Sequence, residues 1–213
     1  MKNKNGHFEI PSFLILLFIF MLAPKGIAGE IEAPQKIIQN ISDILQKKLQ
    51  DPSFTKNFSQ VTVFVNNVIE PHVDFDKIAP LVLGKNWKTA TQLEQERFKQ
   101  EFRTLLVRIY SRAFVEYKHW SISFQPLELP NNATKTIVKT IVFQPDQQAV
   151  DVSYRMLLNN GEWKVYDIMI DGVSLITNYR SAFSNLIQSK GTLNAVIDDL
   201  AKRNAKALAV KKS

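Results

Sequence analysis

The sequence predicts an α+β domain in which N-terminal and C-terminal helices pack on one face of a curved, four-stranded antiparallel sheet. Apolar residues recur at helical spacing up to about residue 116, alternate with polar residues between about 120 and 170, and return to helical spacing after Gly172. Four consecutive strands with short connections pair as an antiparallel meander. Such a sheet buries one face, and the helices are expected to cover that face.

Four helices are predicted before the strands and two after them. Pro34 suits the first turn of the first helix, and the Asp51-Pro52-Ser53 sequence ends that helix and starts a second one, which Pro71 terminates. The predicted helices cover residues 34 to 49, 53 to 69, 75 to 82, 92 to 116 after a cap at Thr89 or Thr91, 175 to 188 and 192 to 206.

The predicted strands cover residues 120–124, 137–143, 150–156 and 163–170. Trp120, Ile122 and Phe124 alternate with serines, which is typical of a half-buried strand. Asn159-Asn160-Gly161 is a hairpin turn signal between the last two strands.

Composition excludes several classes of chemistry. The chain has 213 residues, of which 45% are hydrophobic and 22% charged, as in an ordinary folded protein. It has no cysteine, which excludes disulfide scaffolds, thiolate metal sites, cysteine nucleophiles and a lipid anchor on an N-terminal cysteine. Three histidines are few for a multi-histidine centre, so we expect neither a metal site nor a cofactor.

The first 28 residues are typical of a secretory signal peptide. Lys2 and Lys4 precede an unbroken apolar run over residues 13–23, which is shorter than the ~20 residues needed to span a bilayer. Small residues at Gly26 and Ala28 predict cleavage after Ala28. An uncleaved anchor is the alternative, and the short run disfavours it.

Cleavage there leaves residues 29–213 as a single domain of 185 residues, with 24 basic and 19 acidic side chains and a net charge of +5. A domain of this length buries roughly 70% of its unfolded surface. Residues from about 207 to 213 are predicted to form a frayed basic tail; attraction of this tail to anionic lipid headgroups is the alternative. An exported chain without a basic motif is a poor candidate for binding nucleic acid.

The search for catalytic residues leaves weak candidates. His72 lies two residues from Asp74, but neither a nucleophile elbow nor a phosphate-binding glycine loop accompanies them. We therefore favour a role at a helix end for His72 and a capping role for Asp74. Asp167 and Asp171 form a second carboxylate pair, of the kind that glycosidases use. Binding backbone N–H groups at a turn is the favoured role for Asp171.

The long helix and the strands both present wide apolar faces. The ordinary interpretation is a closed core. The second interpretation is a core that stays open around an apolar ligand, and composition alone does not separate the two.

Five segments resemble the MlaC family of periplasmic phospholipid carriers, also called toluene-tolerance or Ttg2 proteins. The segments agree in order and spacing over about residues 35–205, which makes the resemblance specific. They are WKVYDIMIDGVSLITNYRSAF at 163–183, VIEPHVDF at 68–75, LGKNW at 83–87, AT at 90–91 and FKQEFRTLLVRIY at 98–110.

The resemblance implies a fold similar to the cone-shaped fold of nuclear transport factor 2, with an internal lipid cavity between sheet and helices. It implies a carrier of phospholipid cargo, not an enzyme, in a system that maintains outer-membrane lipid asymmetry. The implied partners are an outer-membrane lipoprotein–porin complex and an inner-membrane ABC transporter that presents a ring of mammalian-cell-entry (MCE) domains. The alternatives are an extracytoplasmic enzyme that uses His72 on a similar fold, or a structural periplasmic module without a ligand.

Candidate pocket residues lie on the faces expected to meet, and a one-residue error in a strand would turn each of its side chains to the opposite face. They are Phe102, Leu106, Tyr110, Phe114, Val142, Val152, Tyr154, Val165, Ile168, Val173, Ile176 and Tyr179. Trp87 and Trp163 are assigned to packing. Arg180 is expected to pair with Asp171 or Asp167, and a role at the rim of the pocket near the lipid headgroup is the alternative.

Overall fold

The structure is a computed structural model that describes residues 32–117 and 119–209, so the predicted signal peptide and the end of the basic tail lie outside the described residues. The helices are α1 Ala33–Leu49, α2 Pro52–Thr55, α3 Phe58–Ile69, α4 Phe75–Leu83, α5 Lys85–Thr89, α6 Gln92–Glu116, α7 Leu175–Lys190 and α8 Leu193–Leu208. The strands are β1 Ser121–Phe124, β2 Lys135–Phe143, β3 Val150–Asn159, β4 Glu162–Ile170 and β5 Val173–Ser174. A 3₁₀ turn, Glu70–His72, links α3 to α4.

The second predicted helix is two helices, because the chain carries two start signals there. The Asp51 carboxylate accepts a hydrogen bond from the Ser53 backbone N–H at 2.9 Å and caps α2. The Asn57 side chain then accepts one from the Gln60 N–H at 3.1 Å and caps α3. A second N-cap within six residues ends the first helix after one turn.

The long helix α6 begins at Thr91, which decides between the two predicted caps. The Thr91 hydroxyl accepts from the Glu94 backbone N–H at 3.2 Å, and the Glu94 carboxylate accepts from the Thr91 N–H at 2.9 Å. This reciprocal capping box satisfies two N–H groups that the helix itself leaves free. Gly84 ends α4 at a φ of 56°, and the short helix α5, which the sequence did not predict, follows it.

The four predicted strands are present in one antiparallel sheet with the order β1-β2-β3-β4-β5. The sheet therefore has five strands where the sequence predicted four. Asp171 and Gly172 adopt φ angles of 47° and 80° and return the chain along the edge of β4 for two residues. A strand of that length is too short to show an alternating pattern.

A bulge in β4 sets which side chains face the helices. The register between β3 and β4 shifts between Arg155 and Met156, which leaves Tyr166 as an extra residue in β4. Such a bulge changes the side-chain parity of the strand. Val165 and Ile168, three positions apart, therefore lie on the same face of the sheet.

The helices cover one face of this sheet, and aromatic rings hold α6 against α7. Phe183 of α7 meets Phe98 and Phe102 of α6 edge-to-face, with ring centroids 5.0 and 5.6 Å apart, and Tyr179 meets Phe102 at 5.1 Å. Trp163 is buried in a second cluster with Ile38 of α1. Among the described residues, none of the helices combines the length and apolar character required to cross a bilayer.

Candidate functional site

An apolar cavity of about 370 Å³ lies between the helices and the inner face of the sheet. This volume is within the range of pockets that hold small-molecule ligands. The lining is contributed by α1, α4, α6, α7 and strands β1 to β4, together with the end of α3 and the linking segment between α3 and α4. The core is thus open around a space, as the second interpretation of the apolar faces expected.

Most of the residues chosen from the sequence surround this cavity. Those in the lining are Phe102, Leu106, Tyr110, Phe114, Val142, Val152, Tyr154, Val165, Ile168, Ile176 and Tyr179. Val173 is the exception: it does not line the cavity, because it lies on the two-residue edge strand and is 60% exposed. That lipid binds to these side chains remains a proposal.

Among the lining residues that were not predicted from the sequence, two groups come from elements for which no pocket residue was predicted. One is α1, which contributes Ile38, Ile41 and Leu45. The helical spacing of these residues was visible, but nothing in the sequence shows that a helix more than 80 residues before β2 packs over the same space. The other is the region around α4, where His72 and Val73 of the linking segment and Phe75, Ile78 and Val82 of α4 reach the cavity.

The linking segment is fixed against β4. Val73 forms an isolated parallel bridge with Val165, and the Asp74 backbone N–H donates to the Val165 carbonyl at 2.9 Å. This contact covers part of the edge of β4 that β5 leaves open. The same contact places this segment, which shows no regular hydrophobic pattern in the sequence, in the wall of the cavity.

Asp74 acts as a helix cap, as predicted. Its buried carboxylate accepts from the Lys77 backbone N–H at 2.8 Å and from the Asn159 side-chain amide at 3.2 Å. Both oxygens are thereby engaged, and His72 lines the apolar cavity. The geometry does not assemble these two residues into an acid–base pair.

Asp167 and Asp171 also have structural partners. Asp167, 4% exposed, accepts from the Ser174 hydroxyl at 2.7 Å, from the Ile176 backbone N–H at 3.2 Å and from Arg155 at 3.3 Å. Asp171 accepts from the Asp151 backbone N–H at 3.1 Å, which confirms the predicted turn role.

The predicted pairing of Arg180 with one of these carboxylates is wrong. Arg155 reaches Asp167 instead, because the two residues are opposite one another in the β3–β4 register. Arg180 lies on the side of α7 that packs on α4, and its Nε donates to the Leu81 carbonyl at 2.7 Å. Trp87 packs against the main core cluster, in agreement with its predicted role.

Tyr110, Tyr154 and Tyr179 are among the polar residues of the cavity wall. Burial raises the pKa of Tyr154 to about 12, and a hydrogen bond with the Thr140 hydroxyl opposes part of that shift. Burial also raises the pKa of Tyr110, with a further contribution from Tyr179. The pKa of Tyr179 is raised by burial against an opposing effect of Arg108. The phenols stay neutral at physiological pH and can donate hydrogen bonds to an uncharged or anionic acceptor.

A second cleft, of about 520 Å³, lies on the other side of the linking segment, with Val73 and Phe75 in both walls. Its wall carries ion pairs between Lys99 and Asp76 at 2.7 Å and between Arg103 and Glu70 at 3.4 Å. Although it is larger, its charged wall is unsuited to hydrocarbon. Within the described ranges, no group of three His, Asp or Glu side chains is placed to hold a metal ion.

Comparison with known families identifies the chain. The model of the MlaC protein family matches residues 38–202. This chain belongs to the MlaC family. The match spans more than half of the sequence, and it includes all of the strands and most of the helices that surround the cavity.

Two individual MlaC relatives match this chain over most of its length and over most of their own. The chain is 25% identical over 198 residues to toluene tolerance protein ttg2D of Pseudomonas putida, covering 91% of this chain and 90% of that protein. It is 25% identical over 191 residues to the intermembrane phospholipid transport system binding protein MlaC of Haemophilus influenzae, covering 84% and 86%.

A solved structure shares the fold of this MlaC-family chain. It is that of a phospholipid-binding protein from Ralstonia solanacearum in complex with a phospholipid, with a TM-score of 0.73 and 26% sequence identity. The similarity covers 82% of this chain and 98% of that one.

Proposed function

We propose that this MlaC-family protein is a periplasmic carrier that shuttles phospholipids between the outer and inner membranes. The observation that carries the proposal is the apolar cavity between helices and sheet. The Ralstonia solanacearum protein, which has a similar fold, was solved in complex with a phospholipid, and this supports a lipid as the occupant.

The physics of the cargo explains why such a cavity is needed. Each CH₂ group that leaves hydrocarbon for water costs ~0.8 kcal/mol, so two chains of about 16 carbons would cost roughly 25 kcal/mol if left bare. A carrier must cover that surface with apolar side chains and needs no catalytic residue. The carboxylate in the cavity wall fits this role. Asp167 is already bound by three partners within the protein, so its contacts are those of a structural residue.

The proposed partners are an outer-membrane lipoprotein–porin complex and an inner-membrane ABC transporter with a ring of MCE domains. The relative from Haemophilus influenzae is named as the binding protein of an intermembrane phospholipid transport system, which supports this context. The role of the whole system would be to maintain the lipid asymmetry of the outer membrane.

Export to the periplasm is proposed from the predicted signal peptide. When the full chain is expressed in a Gram-negative host, the periplasmic product is expected to begin at Gly29. Intact-mass analysis of that product tests the cleavage site, and a product that retains residues 1–28 in the membrane fraction would contradict it.

The test of the carrier function is native mass spectrometry of the mature protein after gentle purification. We expect bound phospholipid that is released by collisional activation and identified by its fragments. Protein that is folded and free of lipid, and that takes up none from mixed micelles, would refute the proposal.

A further inference from the structure

The apolar cavity is closed at one end of the sheet and opens at the other. At the closed end, Met156 of β3 is paired with Val165 of β4, and the two are 0% and 5% exposed. Six residues earlier in β3 and on the same face, Val150 lines the cavity and is half-buried. Among the described lining residues, Tyr117, directly after α6, is the one that is exposed, to 42%. The mouth of the cavity therefore lies where β2 ends, β3 begins and α6 ends.

The depth of the cavity suits an acyl chain that enters through this mouth. Six residues of an antiparallel strand span about 20 Å, and an acyl chain spans half of a bilayer core that is ~30 Å thick. A lipid whose chains point toward Met156 and Val165 has its headgroup at the mouth. The surface around the mouth is thus the part of the protein that a lipid crosses when it enters or leaves.

Apolar side chains continue from the mouth onto this surface. Val173 of β5 pairs with Ile170 of β4, which lines the cavity, so the two side chains lie on the same face of the sheet. Val173 is 60% exposed, and Phe143, which precedes the lining residue Gln144 at the end of β2, is 44% exposed. A single exposed apolar residue is ordinary, but Val173, Phe143 and Tyr117 border one opening. These three residues are the lip of the cavity.

The segments that border the mouth are acidic, although the predicted mature chain is basic. Residues 116–120, 143–151 and 170–175 contain four carboxylates and one lysine. The carboxylates are those of Glu116, Asp146, Asp151 and Asp171. An anionic membrane surface repels such a border. A zwitterionic surface, on which the outermost groups are ammonium groups, complements it.

We propose that the lip docks on a zwitterionic bilayer surface, so that an acyl chain passes between the bilayer and the cavity without crossing water. Tyrosine is enriched at membrane interfaces, where its ring is apolar and its hydroxyl stays hydrated. Three side chains are few for a specific protein interface, which buries about 800 Å² on each partner, but they are sufficient for shallow insertion between headgroups. The inference rests on the proposed carrier function and adds a direct exchange with the bilayer.

The experiment measures lipid uptake from vesicles in the absence of any other protein. Mature protein stripped of lipid is mixed with vesicles of phosphatidylethanolamine and phosphatidylcholine, and bound lipid is followed over time by native mass spectrometry. Val173→Asp and Phe143→Asp leave the cavity lining unchanged and place a carboxylate that docking must desolvate. Each is expected to slow uptake about tenfold, the effect of losing roughly one buried apolar side chain.

The matched control is Leu93→Asp. Leu93 is 70% exposed in the first turn of α6, where an aspartate is favourable, and it lies about 36 Å from Tyr117 along the helix at ~1.5 Å per residue. Its uptake rate is expected to equal that of the parent. Loading of each variant from mixed micelles, which requires no docking on a bilayer, shows that its fold and cavity are intact.

The acidic border is tested by the charge of the vesicles. Parent protein is expected to take up lipid about threefold more slowly when roughly one-third of the vesicle lipid is phosphatidylglycerol. Glu116→Gln combined with Asp146→Asn should remove this difference, and asparagine tolerates the φ of 58° at position 146. Faster uptake by the parent from the anionic vesicles would contradict the proposed docking.

The outcomes separate this inference from the function beneath it. If the parent loads phospholipid from micelles but takes up none from vesicles, docking on a bilayer is refuted, the carrier function stands, and the lip is left to a protein partner. If the parent takes up lipid from vesicles and both lip variants keep its rate, the lip is not the docking surface. If the parent binds lipid from neither source, the carrier function itself fails, and this inference with it.

Discussion

At the scale of single residues, Val165 is the sharpest test of the cavity. It is 5% exposed, lies in β4 and lines the cavity, so a carboxylate there would be desolvated beside acyl chains at a cost of several kcal/mol. We expect Val165→Glu to lose co-purified phospholipid in native mass spectra. The matched control is Ile137→Glu on the opposite face of β2, where Ile137 is 40% exposed, and this variant should retain lipid. A folded Val165→Glu protein that still carries lipid would count against the cavity as the binding site.

The effect of replacing His72 distinguishes a lipid carrier from an enzyme. It lines the cavity, while both carboxylate oxygens of Asp74 are engaged by Lys77 and Asn159. We expect His72→Ala to transfer lipid between donor and acceptor vesicles within a few-fold of the parent rate. A general base would instead cost about 10²–10⁴-fold. Asp74→Ala is the companion variant and should lower the free energy of unfolding by about 1 kcal/mol through loss of the cap. A drop of catalytic size in folded, lipid-loaded His72→Ala would overturn the carrier interpretation.

Tyr154 links the cavity to stability at high pH. Its pKa is raised by burial from 10.0 to about 12, so the folded state favours the neutral phenol. The resulting stability is fully present below the unfolded pKa of 10.0 and is lost as pH rises to about 12. We expect the free energy of unfolding, measured by urea titration, to fall more steeply in this window for the parent than for Tyr154→Phe. Equal slopes for the two proteins would show that this phenol is not buried.

At the scale of elements, Asp167 joins β4 to the start of α7. It accepts hydrogen bonds from Ser174, from the Ile176 backbone and from Arg155. Asp167→Ala removes all three and should lower the free energy of unfolding by about 2–3 kcal/mol, measured by denaturant titration. Arg155→Ala removes only the outermost, exposed partner and should cost about 0–1 kcal/mol. A larger decrease in the free energy of unfolding for Arg155→Ala than for Asp167→Ala would contradict the role of Asp167 as the residue that joins β4 to α7.

The elements themselves were largely predictable, and the exceptions have local causes. Hydrophobic period and caps located the long helices and the four main strands. The split between α2 and α3 and the short strand β5 were missed, because α2 has four residues and β5 has two, so each holds about one period and its pattern cannot repeat. The bulge at Tyr166 was invisible for a different reason, since its register depends on pairing with β3.

At the scale of the whole molecule, the cavity should make stability depend on lipid. A ligand that binds only the folded state stabilises it by RT ln(1 + [L]/Kd), which is about 2.7 kcal/mol at a hundredfold excess over Kd. We therefore expect delipidated protein to have a lower Tm that rises again with added phospholipid. The Val165→Glu variant should show little of this rise. A Tm independent of lipid in the parent would argue for a closed structural module.

Helical and strand patterning, the absence of cysteine and the family signature were properties of the sequence by itself, because patterning depends on residues close together along the chain and the other two are read directly from residue identities and their order. Eleven of the twelve residues chosen for the pocket line the cavity for the same reason, since they follow the apolar faces of α6, the strands and α7. Only the tertiary structure brought α1 and the segment around His72 into the wall, exposed Val173 at the sheet edge and placed Arg155, not Arg180, on Asp167. These outcomes depend on which elements meet across long sequence separations, and no local period encodes that choice.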